Sequence, residues 1–403
     1  MSDTAAHLVD SVLPRVPVRQ WVLSMPRQVR YRLARDAKLL ARAAKVFVSE
    51  VFRDLRRRAR LKRGVGRSGR VLCGAVTVVQ RFGGALNLNV HFHTLVLDGC
   101  YVEETGRLRF VRLPPPIPDE MERVVERVRR RVWRLCGLDS LDDASGDEPS
   151  LFDRVQAASI REWVGLGEEL RPVPKLGRDE ERSVGIEPHG LCAAVDGFSM
   201  HAGVRTRAGD REGLEQVCRY ILRPAFSGER LERLADGRVA YGLRKARADG
   251  TTHVVLTPME FMEKLAALVA PPRSHLVRYH GVLAPASRRR GRVVPRERRE
   301  REGRRCDGRG PRDAGAGGGA WGGRPGRRKG RTRMDWASLA MRSLGEDVLG
   351  CPRCGGRMRV IACITERRVV RTILRAMGLP EEAPVREPAR APPASRPLEV
   401  DQS

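Results

Sequence analysis

Apolar residues along the chain repeat with two different periods, and the switches between them mark its elements. PVRQWVLSMP (17–26) reads as a strand. Pro26 then opens a long helix in which Val29, Leu33, Ala37, Leu40, Ala44, Phe47, Val51 and Leu55 recur three and four apart. VLCGAVTVVQ (71–80) and HFHTLVLDG (91–99) are β-rich, and YVEETGRLRFVRL predicts a hairpin turning at Thr105 and Gly106. Met121, Val124, Val125, Val128, Val132 and Leu135 predict a helix over 118–137. An acidic linker, GLDSLDDASGDEPS, separates it from another helix over 151–164. GFSMHAGVRTRA (197–208) alternates as a strand, and DREGLEQVCRYILRP follows as a helix stopped by Pro224. A hairpin turning at Asp249 and Gly250 and a helix from Pro258 to Val269 complete the pattern. The fold class is α+β, with a central antiparallel sheet carrying helices on its faces.

One segment breaks the pattern. Residues 287–333 hold 17 Arg, one Lys and 12 Gly against five acidic residues, so this stretch alone carries +13. With so few apolar residues it is expected to be disordered, as a plain linker or as a non-specific nucleic-acid arm. The chain divides into an N-terminal strand and long basic helix (1–70), a main domain (71–285), this basic linker (286–333), a small module containing Cys351 and Cys354 (334–380) and a Pro-rich tail (381–403).

Charge sharpens the picture. The formal charge is +28 over 403 residues, which points to a polyanionic partner, with nucleic acid the commonest. The end of the first long helix, RDLRRRARLKRGVGRSGR, is either a solvated helix terminus or a phosphate-contacting patch, and the two are compatible. No run of 18 apolar residues predicts a membrane span, and the first residues lack a secretory pattern. The nine cysteines form no regular framework, so a cytoplasmic, reduced protein is expected.

Candidate chemistry starts at His91 and His93. On a strand, residues two apart point the same way, so the two imidazoles share one face with backbones roughly 6.5–7 Å apart. They can converge on one divalent metal, or they can be two half-buried histidines with hydrogen-bond partners; spacing alone leaves both open. In the helix over 210–223, Leu214, Val217, Cys218, Ile221 and Leu222 form the apolar stripe. Tyr220 falls about 120° away from it at 100° per residue, with Arg223 one turn on. Tyr220 is therefore a margin residue of the core or a nucleophile aimed at a phosphate beside a guanidinium.

The blocks VPVRQWVLSMP, VVQRFGGALNLNVHFHTLVLDGCY, CRYILRP, LVRYHGVLAP and CPRCGGRMRVI resemble, in order, those of rolling-circle insertion-sequence transposases of the HUH class (His, hydrophobic, His), including the insertion sequence common region type. The resemblance runs from about residue 3 to 378, interrupted at the Arg/Gly segment. It implies that 71–285 is an HUH nuclease-like catalytic domain. His91 and His93 would hold Mg²⁺ or Mn²⁺, with Gln80 slightly favoured over His201 as third ligand. Tyr220, assisted by Arg223, would attack single-stranded DNA at element ends and form a 5′-phosphotyrosine link. Position 224 is Pro, so the single-tyrosine subgroup is the closer match. Tyr241, with Lys245 four residues on, imitates a nucleophile motif but sits on a predicted strand. The alternative is an inactive remnant that binds DNA non-specifically.

Two departures bear on this. Relatives of this kind begin with a cysteine-rich zinc-binding domain, whereas here no cysteine precedes Cys73, so an N-terminal truncation is expected. Cys351 and Cys354 make half of a zinc ribbon; Cys363 is a third candidate ligand, and no fourth is evident.

Overall fold

In the computed structural model of the protein, α1 (Ser2–Ser11) leads into β1 (Val18–Ser24), and Pro26 is the N-cap of α2 (Arg27–Arg35). The structure describes residues 2–62, 65, 69–138, 150–165, 170–173, 175–177, 191–243, 246, 250–295, 336–345, 347–351, 354–359, 364, 366–378 and 381. The single long helix expected after Pro26 is two helices. Asp36 is extended (φ −114°, ψ 108°), and its carboxylate accepts from the backbone N–H of Lys38 and Leu39, capping α3 (Ala37–Leu61).

Next come β2 (Arg70–Leu72), β3 (Gly74–Phe82) and β4 (Leu88–Leu97), then the hairpin β5 (Gly99–Glu104) and β6 (Arg107–Arg112). That hairpin turns through Thr105 (φ 48°) and Gly106 (φ 75°), the two left-handed positions a tight I′ turn requires. After α4 (Pro118–Leu135), α5 (Leu151–Ile160) ends earlier than its spacing predicts, because Glu162 adopts φ 62°. Trp163–Val164 then forms β7, paired with β8 (Arg171–Pro172), and β9 (Lys175–Gly177) follows. β10 (Cys192–Val195) precedes β11 (Phe198–His201) and β12 (Arg205–Thr206); the strand expected over 197–208 is broken at Ala202, whose carbonyl accepts from Arg19 Nη1 at 2.8 Å. The remaining elements are α6 (Arg211–Ile221), β13 (Leu231–Arg233), β14 (Val239–Gly242), β15 (Thr251–Leu256), α7 (Pro258–Leu268), β16 (Val277–Gly281), α8 (Arg290–Val293), α9 (Trp336–Leu344) and α10 (Arg367–Ala376).

The central sheet runs β10-β11-β1-β4-β3-β16, with β12 also on β1, and every pairing is antiparallel. β1, which lies ahead of residue 70, is thus a middle strand of the same sheet as the histidines. Strand alternation gives the sheet two apolar faces. On one, Val76, Val78, Leu95 and Leu97 pack under α1 and α6 through Leu8, Val9, Leu214, Val217 and Ile221. On the other, Trp21, Leu23, Val90 and Phe92 pack on α2, α3 and α4 through Leu33, Phe47, Val51 and Val128. Each such side chain contributes about 1.5–3 kcal/mol by leaving water. This is the α+β architecture the periodicities predict.

Buried charges tie the layers together. Arg19 and Asp98 meet at 2.9 Å almost without exposure, and Arg205 approaches the same carboxylate at 2.9 Å. Arg81, also buried, donates to Ala34 O at the end of α2 and to Leu268 O and Val269 O at the end of α7, satisfying carbonyls that helix ends leave open. Part of the basic end of α3 is used inside the fold: Arg58 pairs with Asp54 at 2.8 Å, Arg57 with Glu120, and Lys62 donates to Arg112 O. Arg56 stays exposed.

Of the Arg/Gly segment, 296–333 lies outside the described residues, as do the acidic linker over 139–149, Lys245, Asp249, Cys363 and the tail from 382. Residues 286–295 belong to the fold: α8 is helical, and Arg289 and Arg292 both pair with Glu103. Sequence composition put these residues in the disordered segment; a partner acid 186 positions away corrects that boundary. Among the described residues, no helix is long and apolar enough to cross a membrane.

Candidate active site

β4 presents His91 and His93 on the face covered by α6, with ring centroids 4.9 Å apart. Gln80, on β3, is the direct cross-strand partner of His91. α6 buries Leu214, Val217, Cys218 and Ile221, so Tyr220 emerges at the helix edge, 43% exposed, edge-on to His93 with ring centroids 6.0 Å apart. Gln80 Nε2 donates to Ile221 O at 2.7 Å, which ties the last turn of the tyrosine helix to the histidine strand pair. The Arg223 guanidinium lies 4.2 Å from the centre of the Tyr220 ring and 5.8 Å from that of Phe82, a cation–π stack that holds the tyrosine from one side. The structure thus brings together His91, His93, Gln80, Tyr220 and Arg223.

Hydrogen bonds set the state of the imidazoles. His91 Nδ1 lies 2.9 Å from the Asn89 carbonyl, which can only accept, so Nδ1 carries the proton and Nε2 keeps its lone pair. His93 Nδ1 accepts from the Gln20 Nε2–H on β1 at 2.7 Å, which puts the His93 proton on Nε2; only with that amide rotated end for end does His93 take the tautomer of His91. His93 Nε2, Gln80 Oε1, Asn89 Oδ1 and Arg223 Nη1 are all buried without a hydrogen-bond partner. An unpaired buried polar atom costs about 1–3 kcal/mol. By strand parity the first three share one face, and Arg223 is stacked beside them. With the Gln20 amide rotated, such a group of lone pairs beside one cationic N–H suits a cation bound together with an anion.

Electrostatics agree with this. Burial holds His91 down to about 4, with Arg30 and Arg223 adding to the shift. Burial, His91 and Arg223 hold His93 down to about 3. Both rings are neutral at pH 7, the form that can coordinate a metal. Between pH 4 and 6.5 the unfolded chain binds more protons at these histidines than the folded chain, so stability falls on acidification across that window. The loss is expected to be roughly 1–3 kcal/mol per histidine. Urea midpoints at pH 7 and pH 4.5 should differ less in His91→Gln/His93→Gln than in the wild type; equal differences would show that the histidines carry none of it.

The other candidates lie elsewhere. His201 is on the same face but across β1 from His93, since Val22 is the direct partner of both. That is two strand spacings, about 10 Å. Tyr241 is fully buried in the small sheet β13-β14-β15-β9, with the Arg230 guanidinium 4.8 Å from its ring. Tyr279 is opposite Val76, four residues along β3 from Gln80, with Arg290 over its ring. Near the two cysteines, Cys351 N–H donates to Gly356 O and Gly355 N–H donates to Cys351 O. Among the described residues no three His, Cys, Asp or Glu side chains come together in a metal-binding group. The sequence reading missed Gln20, Asn89 and Arg30. The available signal was a polar Gln20 inside the apolar run of β1.

A family model described as "Putative transposase" matches residues 74–291, more than half of the chain. The span includes His91, His93, Gln80, Tyr220 and Arg223. No curated protein and no solved structure matches the chain.

Proposed function

This chain belongs to that transposase family, and we propose that it nicks and rejoins single-stranded DNA through a 5′-phosphotyrosine intermediate on Tyr220, in the manner of rolling-circle HUH-class transposases. The observation that carries the reading is the Tyr220 ring set edge-on to the paired, neutral histidines at 6.0 Å, amid unpartnered buried polar atoms.

His91, His93 and Gln80 would hold Mg²⁺ or Mn²⁺; their inward atoms are two imidazole nitrogens and an amide oxygen. When bound, the ion supplies Lewis acidity at the scissile phosphate and offsets charge on the leaving 3′ oxygen. The Tyr220 phenol oxygen attacks phosphorus and gives its proton to solvent. The P–O3′ bond breaks, and the 3′ oxygen leaves and is protonated. Arg223, stacked on the tyrosine, keeps one buried N–H for a phosphate oxygen, and Arg30 adds positive charge near His91. Gln80 joins the two halves of the site, because its nitrogen holds the tyrosine helix and its strand position is directly opposite His91. Attack of a free 3′ hydroxyl on the phosphotyrosine reverses the step and joins strands.

The test is incubation of the full chain with labelled single-stranded DNA from element ends and Mn²⁺. A covalent adduct that survives denaturation should appear, and its digested peptide should contain Tyr220. A DNA-linked peptide containing Tyr241 or Tyr279 would overturn the assignment. Tight DNA binding with no adduct on any such DNA would instead support a binding protein without nuclease activity.

A further inference from the structure

At the other end of the same sheet, where β3 starts and β16 ends, a cleft of about 390 Å³ opens between α3 and the segment after β16. Its floor is backbone. Gly281 adopts φ +60°, and a Cβ there would overlap the Cys73 carbonyl oxygen, so only glycine lets the chain turn this close to the strand. Arg56 from α3, Arg70 from β2, and Arg288 and Arg289 line the walls, and among the described residues no acidic side chain does. Arg289 is occupied, because it grips Glu103 at 2.7 and 3.0 Å and Arg292 shares that carboxylate. Arg70 faces Glu103 across the β2–β5 pair, but that acid is already held. Arg56, Arg70 and Arg288 are exposed, and among the described residues none of them is in a salt bridge. Three like charges around one concavity repel one another until an anion enters.

Two further facts select the anion. The wall passes directly into α8 and Pro295, and the next residues, 296–333, carry 13 Arg and one Lys against five acids. The cleft is therefore continuous in sequence with a strongly basic tract, which suits a polymer of phosphates better than a single small ion. From Cys73, at the cleft, to Gln80, at the histidines, is seven residues, about 23 Å along the strand. The cleft opens on the α3 side of the sheet and the histidines lie on the α6 side, so a strand held at both sites passes round the edge strand β16.

We propose that this cleft grips backbone phosphates of the DNA flanking the cut site, as a contact separate from the catalytic one. It depends on the transposase reading only for the identity of the polyanion. The guanidinium groups fix the position of the flank without reading its bases.

The experiment compares the wild-type chain with Arg56→Ala/Arg70→Ala/Arg288→Ala on two labelled DNAs. A short oligonucleotide covers only the cut site, and a long one extends about ten nucleotides to each side. On the long DNA, the variant's Kd at about 0.1 M salt should rise at least tenfold. The slope of log affinity against log salt should become shallower by about 2 to 3, one contact each. On the short DNA, affinity and adduct yield should be unchanged. Unchanged affinity and slope on the long DNA would overturn the proposal, and so would an equal loss on both DNAs, which would mean a general charge effect. If the wild type forms no adduct while the length-dependent loss is present, the nicking reading fails and the cleft stands.

Discussion

Replacing Tyr220 with phenylalanine is expected to remove covalent DNA capture and strand cleavage, by on the order of 10³-fold or more. The ring, and with it the edge contact to His93 and the Arg223 stack, survives the change; only the attacking oxygen is lost. The melting temperature and DNA affinity should therefore stay within error of the wild type. His91→Ala/His93→Ala should reach the same loss by another route, and cleavage in it should not be restored by raising Mn²⁺. Combining both changes should cost little more than either alone, since groups that act in one step are not additive. Cleavage by Tyr220→Phe at more than about a tenth of the wild-type rate would exclude Tyr220 as the nucleophile.

The largest stability effect is expected at Asp98. Its carboxylate sits between Arg19, itself 1% exposed, and Arg205. Asp98→Ala strands a buried guanidinium at the junction of β1, β4 and β12, at a cost of about 3–5 kcal/mol. A typical domain has only about 5–15 kcal/mol in total. Truncating the cation as well, in Asp98→Ala/Arg19→Met, should recover a good part of the loss, because the penalty comes from the unpaired charge. Urea denaturation measures both. A loss below about 1 kcal/mol in Asp98→Ala would show that water reaches Arg19.

Much of the site was legible because it follows from side-chain direction. Spacing of two on a strand puts His91 and His93 on one face. An angle of 100° per helical residue takes Tyr220 off the stripe of Leu214, Val217 and Ile221. Both are geometric consequences of the local backbone, and both are present in the structure. Spacing could not tell Gln80 from His201, since both lie on the histidine face; the β3–β4 and β1–β11 registers set one beside His91 and the other two strands from His93. It also could not reveal Gln20, whose amide meets His93 across 73 residues of sequence, or the bond from Gln80 to Ile221 across 141.

The sequence by itself determined the alternation of strands and helices, the two-faced sheet, the excess of positive charge and the orientation of the histidine pair and the tyrosine. Each depends on residues within a few positions of one another, where backbone period and burial preference act directly. The tertiary structure alone decided that β1 is a middle strand, that the first long helix divides at Asp36, and that Arg57 and Arg58 serve the fold while Arg56 is left exposed. Those outcomes depend on which distant segment supplies a carboxylate, a carbonyl or a strand edge. That choice is made by the burial of whole faces, where a charge left without its partner costs more than any local preference can offset.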